Sequence, residues 1–249
     1  MVSSKNKTRM MVVLSVLGIT ALLAAPVLAA TLFGDASIVA GGNPGNAAQI
    51  SSDASLSGFG GVDVSPSSPI PWASFATLST DYNVTDDNCG GGSPRIGVGV
   101  DTNNDAAADG YVQISIGPSP AFTGCATGWQ TTGNLIGNSD AGRFDYSQFG
   151  GSPFTTYSGA PASVQAGQVV EIFIVVDGSW NAAATGGDGE QTILVDNINV
   201  NGTVTTFDPV LVGPPANQDE CKKGGWMTFN HPRTFKNQGD CIQFVNTGK

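Results

Sequence analysis

Short segments in which apolar and polar residues alternate constrain the fold of this chain more than any other feature. Residues 74–84, 95–100 and 111–117 each place apolar side chains at every second position, and turn-forming residues separate them. Alternation with a period of two is typical of antiparallel strands that bury one face. The pattern therefore predicts strands whose second face meets solvent.

Other patterns predict further strands. Residues 169–176 are apolar on both faces, which favours a central strand buried on both sides. Residues 191–200 and 203–207 flank the dipeptide Asn201-Gly202, which is a strong indicator of a two-residue hairpin turn. Weaker segments complete a set of eight or nine strands: residues 47–52 and the surroundings of Trp129 and Phe154.

Two packed sheets allow this many strands to bury their apolar faces. Charged residues make up 12% of the chain, about half the usual share, and no amphipathic stretch of useful helical length is visible. We therefore predict an all-β fold, a two-sheet antiparallel β-sandwich of jelly-roll type. A small disulfide-closed module is expected at the C-terminal end.

The first thirty residues predict export. Three basic residues precede an uncharged apolar stretch over residues 12–25, and small residues follow Pro26. This arrangement is typical of a signal peptide, placed at residues 1–30. The alternative is an uncleaved membrane anchor, because residues 10–28 approach the roughly 20 that a span requires. Pro26 and the small residues favour cleavage, so we expect a secreted, extracellular protein that is not embedded in the membrane.

Charge is distributed unevenly along the chain. Residues 31–217 contain 17 acidic residues and two basic ones, Arg95 and Arg143, which gives a net charge of −15. Residues 218–249 carry a net charge of +2. An acidic body disfavours nucleic-acid binding, which needs a basic surface, and suits a soluble or cation-binding protein.

The change of sign coincides with a Pro-Pro pair, which is typical of a stiff linker. We predict a β-sandwich domain over residues 31–212, a linker over residues 213–218 and a basic module over residues 219–249.

Four cysteines lie two on each side of this boundary: Cys89, Cys125, Cys221 and Cys241. An even number in an exported protein predicts disulfides, and four cysteines allow three pairings. The boundary favours Cys89–Cys125 and Cys221–Cys241. A thiolate metal site would need more closely spaced pairs.

Three segments carry a resemblance to a known class of domain. Residues 41–46 (Gly-Gly-Asn-Pro-Gly-Asn) and 75–82 resemble the opening of secreted jelly-roll modules, and residues 192–200 resemble their closing strand. Carbohydrate-binding modules and galactose-binding-like domains share this pattern, so the resemblance implies a glycan-binding sandwich. The tail, with Cys-Lys-Lys-Gly-Gly-Trp at residues 221–226, is similar to a C-terminal segment of uncharacterised exported bacterial proteins. That similarity implies export from a bacterium.

Residues 101–110 contain the best-defined chemical motif. Its candidate ligands are Asp101, Asn103, Asp105 and Asp109, at positions 1, 3, 5 and 9 of the segment. Hard oxygen ligands at this spacing can surround Ca²⁺. Ala106 replaces the usual glycine, and Val112 stands where a bidentate acid is usual. The alternative is a solvated hairpin, because Asp and Asn favour turns. A bound calcium ion would have a structural role.

Residue counts disfavour most catalytic mechanisms. His231 is the sole histidine and lies in a turn-like part of the tail, which disfavours a Ser-His-Asp triad or a histidine-rich zinc site. A glycosidase needs two carboxylates. Pairs of aspartates stay open in principle, with residues 101–109 as one place for them. A second, less regular acidic set consists of Asp177, Asp188 and Asp196, for which a solvated loop is favoured. We therefore predict no catalytic residues.

Aromatic side chains can stack on sugar rings, or they can fill a sandwich core. Trp180, in a Gly-Ser-Trp-Asn segment after the predicted central strand, is the first candidate for an exposed platform, and Tyr157 is the other ligand-binding candidate. The other tryptophans are assigned to packing.

The leading hypothesis is a secreted, non-catalytic protein that binds extracellular glycan or cell-envelope polymer. It requires a solvent-exposed aromatic side chain beside polar groups on one sheet or at one end of the sandwich. The second hypothesis is a structural or adhesive surface protein with exposed strand edges. The third is an extracellular hydrolase with two facing Asp carboxylates in a cleft.

Overall fold

The computed structural model describes residues 30–53, 58–90, 92–177 and 189–249, which form two antiparallel sheets. The predicted all-β, two-sheet antiparallel sandwich is confirmed. Thirteen strands lie in these ranges: β1 (Thr31–Gly34), β2 (Ala36–Gly42), β3 (Gly45–Ser52), β4 (Phe59–Asp63), β5 (Ile70–Pro71), β6 (Leu78–Asp86), β7 (Arg95–Asp101), β8 (Gly110–Ser115), β9 (Gln130–Thr131), β10 (Phe144–Asp145), β11 (Gln168–Asp177), β12 (Gln191–Val200) and β13 (Thr203–Thr205).

The first sheet, sheet A, has the order β1-β4-β11-β7-β8-β10, and β5 pairs with one end of β11. The second sheet, sheet B, has the order β2-β3-β12-β6-β9, and β13 pairs with β12. The chain passes repeatedly from one sheet to the other, as in a jelly roll. The predicted central strand is β11, which pairs with β4 on one side and β7 on the other.

The core lies between the sheets, and the alternation seen in the sequence decides which side chains enter it. In β7 and β8, Ile96, Val98, Val112 and Ile114 are fully buried. Because successive side chains of a strand point to opposite faces, the residues between them lie on the outer face of sheet A. That outer face carries the candidate site.

The predicted hairpin turn is confirmed. Val200 pairs with Thr203, and Asn201 and Gly202 between them have φ angles of 49° and 89°. Two consecutive positive φ angles define the turn that Asn-Gly favours, because glycine has no Cβ to oppose this conformation.

Several elements differ from the prediction. The strand expected over residues 74–84 begins only at Leu78, because Trp72–Ser74 forms a 3₁₀ turn. Strands β1, β2 and β4 were not predicted. The segments β2 and β4 are rich in glycine and small residues, which weakens the alternation of apolar and polar side chains.

The tail corrects the expectation that no useful helix is present. Besides the short α1 (Ala162–Ala166), the chain forms α2 over Gln238–Thr247. The Asn237 side chain caps α2 by accepting a hydrogen bond from the Asp240 N–H, and Gly248 ends it in the left-handed conformation. Asn237 and Gly248 are common residues at the two ends of a helix, and they indicate where this helix begins and ends better than its apolar pattern does.

The four cysteines form the two predicted disulfides, Cys89–Cys125 and Cys221–Cys241. The second lies in a small apolar cluster of the tail with Phe229 and Phe235, separate from the core of the sandwich. This cluster gives the tail its own packed centre.

The segment before the predicted linker is hydrogen-bonded to the tail. Asn230 Nδ2 donates to the Val210 carbonyl (2.7 Å), and the Val212 N–H donates to Asn230 Oδ1 (2.7 Å). Val210 and Val212 therefore contact the tail. No helix among the described residues is long and apolar enough to cross a membrane.

Candidate ligand-binding cleft

A cleft of about 390 Å³ opens on the outer face of sheet A, over β7, β8 and β10. Its polar and aromatic lining consists of Arg95, Gln113, Ser115, Arg143, Asp145, Gln148 and Phe154. It combines an aromatic ring with amide, guanidinium and carboxylate groups. Binding sites for small polar ligands have this mixed character.

Strand register brings the polar floor of the cleft together. Gln113 of β8 lies opposite Gly97 of β7 and opposite Asp145 of β10. The Phe173 ring covers Gly97, where an added Cβ would lie 2.2 Å from that ring. Gln113 and Asp145 are thus neighbours on one face, although 31 residues separate them in the chain.

Phe154 forms an exposed rim of the cleft. Its segment folds back on β10, where the Thr155 N–H donates to the Phe144 carbonyl (3.0 Å) and the Gly142 N–H donates to the Thr155 carbonyl (3.1 Å). Phe144 is fully buried, whereas Phe154 is 79% exposed. These hydrogen bonds hold the backbone at the rim, and the Phe154 ring makes little contact with the core.

Arg95 is held in a defined orientation across the floor. Its guanidinium forms an ion pair with both carboxylate oxygens of Asp177, and its Nε–H donates to Gln113 Oε1 (3.1 Å). It also donates to the Gly92 carbonyl (3.1 Å). A two-pronged contact of this type is among the stronger charged hydrogen bonds, so the arginine is preorganised.

Arg143 supports the wall of the cleft. Its side chain is 5% exposed, and it donates to the carbonyls of Ser115 (2.6 Å) and Gly117 (3.1 Å) and to Asp140 (2.8 Å). Its guanidinium also lies 4.7 Å from the centre of the Phe122 ring. Its hydrogen bond to Asp140 lowers the pKa of that carboxyl group. The Arg143 Nε is buried and has no partner among the described residues.

A row of aromatic rings continues the same face beyond the cleft. The Phe173 ring centre lies 6.2 Å from that of Phe33 and 5.5 Å from that of Tyr111, both in edge-on contact. The Tyr111 hydroxyl donates to Glu171 Oε2 (2.9 Å). Burial, together with this hydrogen bond, raises the pKa of Tyr111. The face therefore offers apolar rings beside the polar floor.

The two aromatic residues predicted from the sequence do not line this cleft. Trp180 lies outside the described residues. Tyr157 lies in a separate opening of about 470 Å³, where its ring stacks on Trp72 at 5.0 Å. Its hydroxyl donates to the carbonyls of Trp72 (2.9 Å) and Phe75 (3.2 Å), and burial raises its pKa. One ring face and the hydroxyl of Tyr157 thus contact the protein itself.

The predicted calcium loop is organised by backbone hydrogen bonds to Asp101. Its Oδ1 accepts from the N–H groups of Asn103 (3.0 Å) and Asn104 (2.7 Å), and its Oδ2 accepts from that of Ala106 (2.9 Å). Burial opposes ionisation of this carboxyl group, but the backbone donors outweigh it and lower its pKa. Asp101 is 1% exposed.

The other predicted ligands also bond within the loop. Asp109 accepts from the Thr102 N–H (2.7 Å) and from Asn103 Nδ2 (2.9 Å), and Asp105 accepts from the Ala107 N–H (2.9 Å). In the described part of the chain, no group of three or more His, Cys, Asp or Glu side chains is arranged to hold a metal ion. Calcium binding by this loop stays a prediction.

The second acidic set is not brought together. Asp177 ends β11 in sheet A and pairs with Arg95, whereas Asp196 lies in β12 of sheet B. Asp196 accepts from the backbone N–H groups of Asn43 and Asn197 (2.8 Å each), and its burial raises its pKa. Asp188 lies outside the described residues.

The sequence predictions missed the residues of the cleft. One sequence feature could have indicated them: Arg95 and Arg143 are the two basic residues of the acidic body, and both line this cleft. Phe154, Gln113 and Asp145 have no comparable feature, because their proximity depends on strand pairing.

No protein-family model matches this chain, and no curated protein matches it. Among solved structures, one described as a structural analysis of an exo-beta-agarase aligns with it at 13% identity and a TM-score of 0.36. The alignment covers 75% of this chain and 24% of that chain, so this chain spans about a quarter of the length of that protein.

Proposed function

We propose that this chain is a secreted, non-catalytic glycan-binding protein and that the cleft on sheet A is its binding site. The observation that carries the proposal is the exposed ring of Phe154, which lines the cleft together with the polar groups of Arg95, Gln113 and Asp145. Sugars present apolar ring faces and polar hydroxyl edges, so a site of this composition complements both.

Two further features support the proposal. Two disulfides are compatible with an extracellular protein. Among the described lining residues, Asp145 is the one carboxylate of the cleft, whereas hydrolysis of a glycosidic bond uses two. This composition favours binding over catalysis.

The test is affinity electrophoresis of the mature protein through gels that contain single polysaccharides. Hydroxyethyl cellulose, dextran, galactomannan, agarose, pectate, alginate and dextran sulfate form the panel. We expect at least one to retard the protein, and we expect Phe154→Ala to weaken that binding about tenfold, which corresponds to about 1.4 kcal/mol.

Val204→Ala is the matched control, because Val204 is also exposed but lies on β13 of sheet B. It should bind like the natural protein. Equal binding by Phe154→Ala and the natural protein would refute the assignment to this cleft. No retardation by any polysaccharide would refute glycan binding itself.

A structural or adhesive role is the second candidate, and one observation favours it. Strand β2 ends the strand order of sheet B, contains no charged residue over Ala36–Gly42 and exposes 55% of Ile38. An uncharged edge strand can pair with another chain. Sedimentation velocity over a range of protein concentrations separates the candidates, since self-assembly requires association that grows with concentration.

A further inference from the structure

The unpartnered polar atoms at the mouth of the cleft indicate which glycans fit it. Gln113 uses Oε1 to accept from Arg95, and Gln148 uses Oε1 to accept from the Tyr111 N–H (2.9 Å). Within the described part of the chain, neither Nε2 group has a hydrogen-bond partner. Both glutamines therefore present N–H donors to a ligand.

Asp145, in contrast, presents a hydrogen-bond acceptor to a ligand. Its Oδ1 accepts from the Ser147 N–H (2.8 Å), while its Oδ2 has no partner among the described residues. A carboxylate oxygen accepts hydrogen bonds and cannot donate them. The ligand must therefore donate at Asp145 and accept at the two glutamines.

The charges of the cleft do not favour an anion. Asp177 neutralises Arg95, and Asp140 neutralises the buried Arg143, so neither guanidinium offers an uncompensated charge. Asp145 adds a negative charge to the lining, within a body of net charge −15 over residues 31–217. A polyanion would meet repulsion from both.

We infer that the ligand is an uncharged polysaccharide that is recognised through its hydroxyl groups; this inference rests on the proposed function. A hydroxyl both donates and accepts, so it satisfies Asp145 and the glutamines alike. Carboxylate or sulfate groups only accept, and they would leave the Asp145 oxygen unsatisfied beside a like charge.

The variant Asp145→Asn should change the affinity for uncharged and for anionic polysaccharides in opposite directions. Asparagine retains an oxygen for the Ser147 N–H but replaces the free acceptor by an N–H₂ donor. We expect binding of an uncharged polysaccharide to weaken about tenfold, because a neutral hydrogen bond replaces one to a charged acceptor. A polyanion would instead bind more tightly to this variant.

The probes are pairs with a common backbone: hydroxyethyl cellulose with carboxymethyl cellulose, and dextran with dextran sulfate, alongside agarose, galactomannan, pectate and alginate. Asp86→Asn is the matched control. This variant removes the same charge, but at the end of β6 in sheet B. The Oδ1 of Asp86 also accepts a hydrogen bond from a backbone N–H. This variant should leave affinity unchanged.

We expect uncharged polysaccharides to retard the protein. Their affinity should not change as the NaCl concentration rises from about 50 mM to about 500 mM. Preferential binding of the anionic probes, strengthened by Asp145→Asn and weakened by salt, would overturn the inference and leave glycan binding in place. Binding of no probe would overturn the proposed function and this inference with it.

Discussion

Asp101 shows at the residue scale how one side chain can order a loop. Three backbone N–H groups donate to its carboxylate, and the side chain is almost fully buried. A buried carboxylate needs hydrogen-bond donors, and these three bonds tie the loop backbone to it, so Asp101 matters for the loop whether or not an ion joins it.

We therefore expect Asp101→Ala to lower the melting temperature by several degrees at neutral pH. The pKa of this carboxyl group is lowered below its ordinary value of 3.8 in the folded state. Its contribution is thus complete above that value and is lost as the pH falls through the folded pKa. The difference between Asp101→Ala and the natural protein should shrink in strong acid, as thermal unfolding at several pH values will measure.

The same unfolding experiment, repeated with EDTA and with millimolar CaCl₂, tests the calcium prediction. If hydrogen bonds alone order the loop, Asp101→Ala lowers the melting temperature equally in both. If Ca²⁺ binds there, the natural protein is more stable with Ca²⁺ and the variant is not.

At the same scale, core and site differ in how well a sequence predicts them. Ile96 and Val98 lie at alternate positions of one strand, so their burial follows from local pattern. Gln113 and Asp145 become neighbours only because β8 pairs with β10 in one register. That register depends on the whole sheet, so the composition of the cleft could not be read from either segment.

At the scale of elements, the glycine-rich strands and the short capped helix were the elements that the sequence predicted least well. The strongly apolar β11 and β12 were predicted nearly to the residue, whereas β2 and β4 have weak patterns and owe their structure to paired neighbours. The helix α2 has a cap at each end but only a modest apolar face.

The Cys221–Cys241 disulfide should stabilise α2 and its surroundings specifically. It closes a loop with a sequence separation of 20 residues, worth about 3 kcal/mol by chain entropy. The double variant Cys221→Ser/Cys241→Ser should lose amide protection over Gln238–Thr247 while Arg95–Asp101 in β7 stays protected. Hydrogen exchange followed by mass spectrometry measures both segments.

Cys89→Ser/Cys125→Ser is the reciprocal control, because Cys89 belongs to the core of the sandwich. It should loosen the sheets and spare α2. Simultaneous loss of protection in both regions from either variant would contradict separate packing of the tail and the sandwich.

At the scale of the whole molecule, the distribution of charge and the fold act together. The body carries two arginines among 17 acidic residues, and the fold places both in the same cleft, each ion-paired. The arginines therefore orient neighbouring polar groups, and the cleft stays free of net positive charge. The negative field around the body should repel polyanionic polysaccharides, whereas it should not affect the binding of uncharged polysaccharides.

The most direct test of the central claim is a map of the binding surface. Oligosaccharides cut from a retarding polysaccharide are titrated into the isotope-labelled mature protein, and amide shifts are followed by NMR. We predict the largest changes at Asp145 and Phe154 and at the side-chain amides of Gln113 and Gln148. Changes confined to the 101–109 loop, the opening beside Tyr157 or the C-terminal tail would contradict the assignment of the cleft.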